Sequence, residues 1–182
     1  MQDYNEILAE ILIDEDTLQA RVKELGAEIS ADYTDGNLLL ICILRGGVPF
    51  MVDLSRHITS PHMMDFMAVS SYGVGKRESS GAVRVSLDLQ TDIHGKDVLL
   101  VEDIVDSGHT LSYLYQTLQT RHPASLRTCA LVRKQRESMD FPLDYLGFDI
   151  PDVWVVGYGL DYADLHRTLP FIAELKPEVY QK

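Results

Sequence analysis

Residues 101–111, VEDIVDSGHTL, concentrate the side chains able to do chemistry. Two adjacent carboxylates, Glu102 and Asp103, close an apolar run. A third, Asp106, follows in a short loop with Ser107, Gly108, His109 and Thr110. Ser-Gly-x-Thr at the mouth of a helix turns unpaired backbone N–H groups and hydroxyls toward one point, where the helix end adds positive potential. That is a cradle for a phosphate monoester. The carboxylates just upstream cannot share this phosphate. They suit hydrogen bonds from sugar hydroxyls, or a place beside a metal ion.

These groups need a scaffold, and the apolar patterning describes one. After the apolar ILI at 11–13, Asp14 can cap a helix on which Leu18, Val22, Leu25 and Ile29 recur at helical spacing. NLLLICIL (37–44) and DVLLVED (97–103) are continuous apolar runs, the signature of parallel strands covered on both faces. Arg45-Gly46-Gly47 breaks the first of them, and 48–58 reads as a helix. Further strands are predicted at 63–69, 126–134, 145–150 and 153–159, with 83–88 returning as a hairpin arm and a helix beginning near Thr110. Strands alternating with helices predict a doubly wound α/β sheet, mostly parallel and flanked by helices. Such sheets bind ligands beyond the carboxyl ends of their strands. Residues 70–82, SSYGVGKRESSGA, carry no apolar pattern and read as a flexible loop.

Composition narrows the classes of function. The 182 residues suit one domain, and 46% hydrophobic content is enough for a sizeable core. A net charge of −12 argues against a general nucleic-acid or membrane-surface binder, while leaving room for a small anion held by a few placed cations. Cys42 and Cys129 both sit inside apolar runs, as expected of reduced thiols in a reducing compartment. No apolar stretch approaches the ~18 residues of a membrane span, and the opening MQDYNEILAE lacks a basic leader. A cytoplasmic protein is expected.

The segment 101–111, with LRGG (44–47), SSYG (70–73), GFDIPDVWVVGYGLDY (147–162) and Arg167, resembles the type I phosphoribosyltransferases, and within them the hypoxanthine-guanine phosphoribosyltransferases. The resemblance covers nearly the whole chain and implies a single domain over 1–182. Its sheet would carry a small hood formed by the chain ends (the N-terminal residues and about 140–182). The implied reaction joins a 6-oxopurine base, hypoxanthine or guanine, to 5-phosphoribosyl-1-pyrophosphate, giving a nucleoside monophosphate and pyrophosphate. By the same resemblance Glu102 and Asp103 meet the ribose hydroxyls, Asp106 is the general base near purine N7, and Ser107, Gly108, His109 and Thr110 hold the 5′-phosphate. His109 stands where Lys is commoner in the family. Arg45, Gly46 and Arg167 would meet pyrophosphate, and Mg2+ would be held by Asp161 with Glu102 and Asp103. Lys134 would donate to the purine O6, although ungapped counting back from Gly147 points to Arg133 instead. Trp154 would stack on the purine, where Phe or Tyr is commoner, and Val155 would meet its edge. Ser71 and Tyr72 would close over the site and exclude water. The family also allows a cis peptide at Leu44–Arg45, and it implies a homodimer or homotetramer.

Competing readings are weaker. GVGKRES (73–79) imitates a nucleotide P-loop but has Ser70 for the first Gly and Arg77 for the final Ser or Thr. Receiver domains of signalling proteins share an acid pair after an apolar strand, but they have no use for the Ser-Gly-x-Thr loop. Asp164 reads as a helix cap or a surface acid. A regulatory protein that senses the same ligands without turning them over is the alternative to an enzyme; Asp106, Lys134, Asp161 and Arg167 together favour the enzyme.

Overall fold

The structure is a computed structural model, and it describes residues 4–71, 83–136, 141 and 143–181. Tyr72 and the rest of the expected loop to residue 82 lie outside the described residues, as do residues 137–139 and, within the expected hood, 140 and 142.

Apolar runs become the strands β2 (Leu38–Leu44), β3 (His62–Ser71), β5 (Asp97–Val105), β6 (Ser125–Lys134) and β7 (Tyr145–Ile150), with β4 (Val83–Leu87) beside β3 and β1 (Leu8–Ile13) elsewhere. The main sheet runs β4-β3-β2-β5-β6-β7. All its pairings are parallel except β3 with β4, the hairpin expected at 83–88. Helix α1 (Glu15–Asp32) and helix α2 (Val48–His57) cover one face. Asp14 does cap α1, its carboxylate accepting the Thr17 N–H at 2.8 Å.

Alternate residues of the central strands enter two separate cores, as a doubly covered sheet requires. Leu40, Cys42, Leu99 and Val101 pack under α1 and α2 against Leu25, Ile29 and Phe50. Leu39, Ile41, Val98 and Leu100 pack on the opposite face against Leu111, Leu114 and Leu118 of α3 (His109–Gln119). The residues of β2 that face the helices are fully buried, so the strand is held rigidly where it delivers Arg45.

A second, three-stranded sheet pairs β1 with β9 (Ile172–Leu175) and β9 with β8 (Val155–Val156). This is the expected hood built from both ends of the chain. One prediction needs correction here: the strand expected over 153–159 is reduced to Val155–Val156. Gly157, Tyr158 and Gly159 all have positive φ (102, 47 and 102°), and the backbone turns back on itself through a Gly157–Leu160 bridge. Helix α3 also begins one residue earlier than expected, at His109, and α2 ends at His57.

Candidate active site

The carboxyl ends of β2 and β5, with the turn before α3, frame a cavity of about 370 Å3. Its floor is the acid pair. Glu102 and Asp103 lie on β5 and are almost wholly buried. Glu102 Oε2 has no hydrogen-bond partner, and Asp103 Oδ1 accepts the Ile104 N–H at 2.9 Å. Burial, and then the charge of Asp103, pushes Glu102 well above the usual carboxylate range; burial also raises Asp103. Two adjacent carboxylates cannot both stay ionised there without a cation or donated hydrogen bonds. Among the described residues no three acidic, His or Cys side chains converge on a point. A cation would therefore be shared between these carboxylates and the oxygens of a ligand, the way magnesium is usually bound beside phosphates.

Residues 106–108 form the bend before α3. Gly108 takes the N-cap position in the left-handed region (φ 73°), and no side chain caps the helix. The first-turn N–H groups, which a helix cannot satisfy internally, thus open beside Ser107 and Thr110 onto the cavity. Ser107 Oγ lies 3.2 Å from His109 Nδ1, so the histidine bears on the loop from the outside.

The opposite wall comes from the turn after β2. The Leu44–Arg45 peptide is cis. A Cβ on Gly46 would overlap Asp103 Oδ2, and a Cβ on Gly159 would overlap the Gly46 carbonyl. Only glycines let this turn, the acid pair and the 157–160 loop approach so closely. Arg45 and Arg167 are brought together with Asp161 at the cavity rim. Arg167 donates to the Gly159 carbonyl at 2.7 Å and pairs with Asp161 at 2.7 Å. Both arginines also reach Asp164, and Arg167, then Arg45, hold its carboxyl below the usual range. Asp164 is the surface acid expected rather than a helix cap, and it bridges two cations.

An adjoining cavity of about 210 Å3 shares Asp103, Asp106 and Asp161 with the first and is walled by Lys134, Trp154 and Val155. Lys134 is buried, its Nζ 3.5 Å from both Asp106 and Asp152. Arg133 points elsewhere, in a bidentate pair with Asp149 at 2.7 and 2.9 Å. The structure thus puts Lys134, not Arg133, in the cleft. The Trp154 ring is stacked on Tyr180 at 5.4 Å and meets Tyr162 edge-on at 5.9 Å. Ser71 ends β3, in register with Val83.

Two residues, Arg136 and Asp152, escaped the sequence reading. Arg136 lies 2.8 Å from Asp106 and 2.7 Å from Asp152, so one guanidinium joins both acids. Its position two residues beyond Lys134, on the same side of an extended chain, was the available signal.

The family model for the phosphoribosyl transferase domain matches residues 10–163. The chain is 50% identical over 179 residues to the hypoxanthine-guanine phosphoribosyltransferase of Mycobacterium avium, spanning 94% of this chain and 88% of that protein. To the Bacillus subtilis enzyme of the same name it is 47% identical over 175 residues, 96% of this chain and 97% of that one. The chain belongs to the hypoxanthine-guanine phosphoribosyltransferase family. A crystal structure of a hypoxanthine phosphoribosyltransferase from Staphylococcus aureus superposes with a TM-score of 0.92 at 44% identity, covering 98% of this chain and 97% of that one. The phosphoribosyltransferase fold accordingly extends over both sheets, the hood included.

Proposed function

We propose that this chain is a purine salvage enzyme that transfers the 5-phosphoribosyl group from 5-phosphoribosyl-1-pyrophosphate to hypoxanthine or guanine, giving IMP or GMP and pyrophosphate. One observation carries the reading. The uncapped start of α3 opens into the same 370 Å3 cavity as a buried acid pair and two arginines, a combination that matches a phosphate, a diol and a pyrophosphate.

In this reading residues 107–110 grip the 5′-phosphate, and Glu102 and Asp103 accept hydrogen bonds from the 2′ and 3′ hydroxyls. Those donated bonds relieve the unpaired Oε2 of Glu102. The bond from C1′ to the pyrophosphate oxygen breaks as the bond from C1′ to the purine nitrogen forms. Negative charge grows on the leaving group, and Arg45, Gly46 and Arg167 stabilise it there. Asp106, near N7, takes up the proton the purine gives up. Lys134 donates to O6, which favours 6-oxopurines over adenine, whose amino group would face it donor to donor. Trp154 covers the ring and Val155 meets its edge, while Ser71 and Tyr72 exclude water. Asp161 on one side, or the Glu102–Asp103 pair on the other, would hold magnesium together with oxygens of the ligand rather than as one three-carboxylate set, and the ion would offset the charge of the departing group.

The domain is read as one unit over 1–182. Met64 and Phe66 of β3 and Val52 of α2 are solvent-exposed apolar side chains, and they support a homodimer or homotetramer. Two free, buried thiols, Cys42 and Cys129, fit a reducing cytoplasm, and no described helix is long and apolar enough to cross a membrane.

The test is direct. The protein is incubated with the ribosyl donor, magnesium and each of hypoxanthine, guanine, xanthine and adenine, and nucleotide formation is followed spectrophotometrically. Turnover with a 6-oxopurine and little with adenine is expected. No nucleotide from any of the 6-oxopurines overturns the proposal.

A further inference from the structure

Asp164 grips both arginines assigned above to pyrophosphate. Its two carboxylate oxygens lie 2.7 and 2.9 Å from Arg45 Nη2, and Oδ1 also lies 3.0 Å from Arg167 Nη2. Backbone geometry builds this placement. Ala163 and Asp164 have φ values of 52 and 63°, and Tyr162 and Leu165 exchange N–H···O bonds across them at 3.2 and 3.0 Å. This is a tight two-residue turn with positive φ at both central positions. The Asp164 N–H is fixed on Asp161 Oδ2 at 2.8 Å, so the carboxylate at the turn tip stays beside the guanidinium groups.

The corner of the cavity is therefore neutralised from within: Asp161 and Asp164 face Arg45 and Arg167. Asp161 sits at the cavity wall, whereas Asp164 meets the arginines from outside it. An anion entering the cavity competes with Asp164 for the charge of both guanidinium groups and for the Nη2 donors it holds. We propose that Asp164 is a tethered counter-anion that exchanges with pyrophosphate on Arg45 and Arg167, and so hastens departure of that product. The inference rests on the proposed function, in which those arginines meet pyrophosphate. As the product leaves, the carboxylate reclaims both cations without a search through solution. Without that competitor the anion stays longer, and affinity differences of this kind reside mostly in the rate of release.

The probe is pyrophosphate with magnesium, titrated calorimetrically into wild type, Asp164→Asn and Asp164→Gly, with release followed by stopped flow. Asn and Gly both tolerate the left-handed turn, so either variant keeps the hairpin. Both are expected to bind pyrophosphate about tenfold more tightly, release it more slowly, and lose this advantage at high salt. Asp149→Asn, which removes the same charge from the remote Arg133 pair, is expected to bind as wild type does. Unchanged or weaker binding in the Asp164 variants, or equal tightening in Asp149→Asn, overturns the proposal. Arg45→Ala and Arg167→Ala separate the two levels of the argument. If they weaken pyrophosphate binding and the Asp164 variants do not tighten it, the counter-anion alone falls. If they leave it unchanged, the assignment of pyrophosphate to this corner falls as well.

Discussion

Arg136 joins Asp106 to Asp152, with its Nη1 2.8 Å from Asp106 Oδ1 and its Nη2 2.7 Å from Asp152 Oδ1. Planar guanidinium forks orient what they bind more strictly than a lysine ammonium does. Arg136 is thus placed to fix the direction of the Asp106 carboxylate, which in the proposed function meets the purine. Arg136→Ala is expected to lower kcat about tenfold while shifting KM for the donor much less, since the phosphate contacts are untouched. Arg136→Lys restores part of the loss. Asp152→Asn acts in the same direction, and combining it with Arg136→Ala costs less than the product of the single effects. Steady-state kinetics on the four variants decides the matter; a pure KM effect would remove Arg136 from the reacting end of the cleft.

Lys134 and Arg133 are neighbours in sequence with different surroundings. Lys134→Ala is expected to raise KM for hypoxanthine about 10- to 100-fold, the loss of one charged hydrogen bond. Arg133→Ala breaks only a partly exposed pair with Asp149 and leaves that constant within about twofold. Kinetics with both variants checks the pair, and the reverse pattern would reassign the purine contact.

The buried acid pair makes stability depend on pH in a stated direction. The folded-state proton affinity of Glu102 is raised by burial and by Asp103. A raised carboxylate carries no penalty while it is protonated in both states, and it gains one as pH climbs past its unfolded value of about 4.3. Glu102→Gln is therefore expected to raise Tm by about 3 °C or more at pH 7 and by nothing near pH 4. Thermal scans between those pH values test it; a difference independent of pH would show that ionisation is not the cause.

Gly159 combines φ 102° with a Cβ position that would overlap the Gly46 carbonyl. Gly159→Ala is expected to destabilise the fold by about 3 kcal/mol or more, strain and backbone overlap together. Urea denaturation with an unchanged m value would report it. A loss below ~1 kcal/mol would mean that the two loops can part easily.

Much of this was legible in the residues. β5 announced itself because a strand buried on both faces must be apolar throughout, so acids at its end stand out. Asp14 was readable as a cap because capping is local chemistry. The region 157–167 was not. Tyr158, Ala163, Asp164 and His166 hold positive φ without being glycine. Bonds within the same loop hold them, as in Tyr158 N–H to Leu169 O at 2.8 Å and the Tyr162–Leu165 exchange around Ala163 and Asp164. β9 was invisible because its partner, β1, lies at the other end of the chain. The bridging roles of Arg136 and Asp164 arise only where separate loops meet.

The two cavities share Asp103, Asp106 and Asp161 but differ in one wall. The cradle at 106–110 stands on the six-stranded sheet, whereas Trp154 is fixed by the Leu175 N–H on its carbonyl at 2.8 Å and by the Tyr180 ring. In the proposed function, changes at 154, 162 or 180 therefore alter the wall beside the purine without touching the cradle for the phosphate. That wall can drift while the shared acids stay fixed.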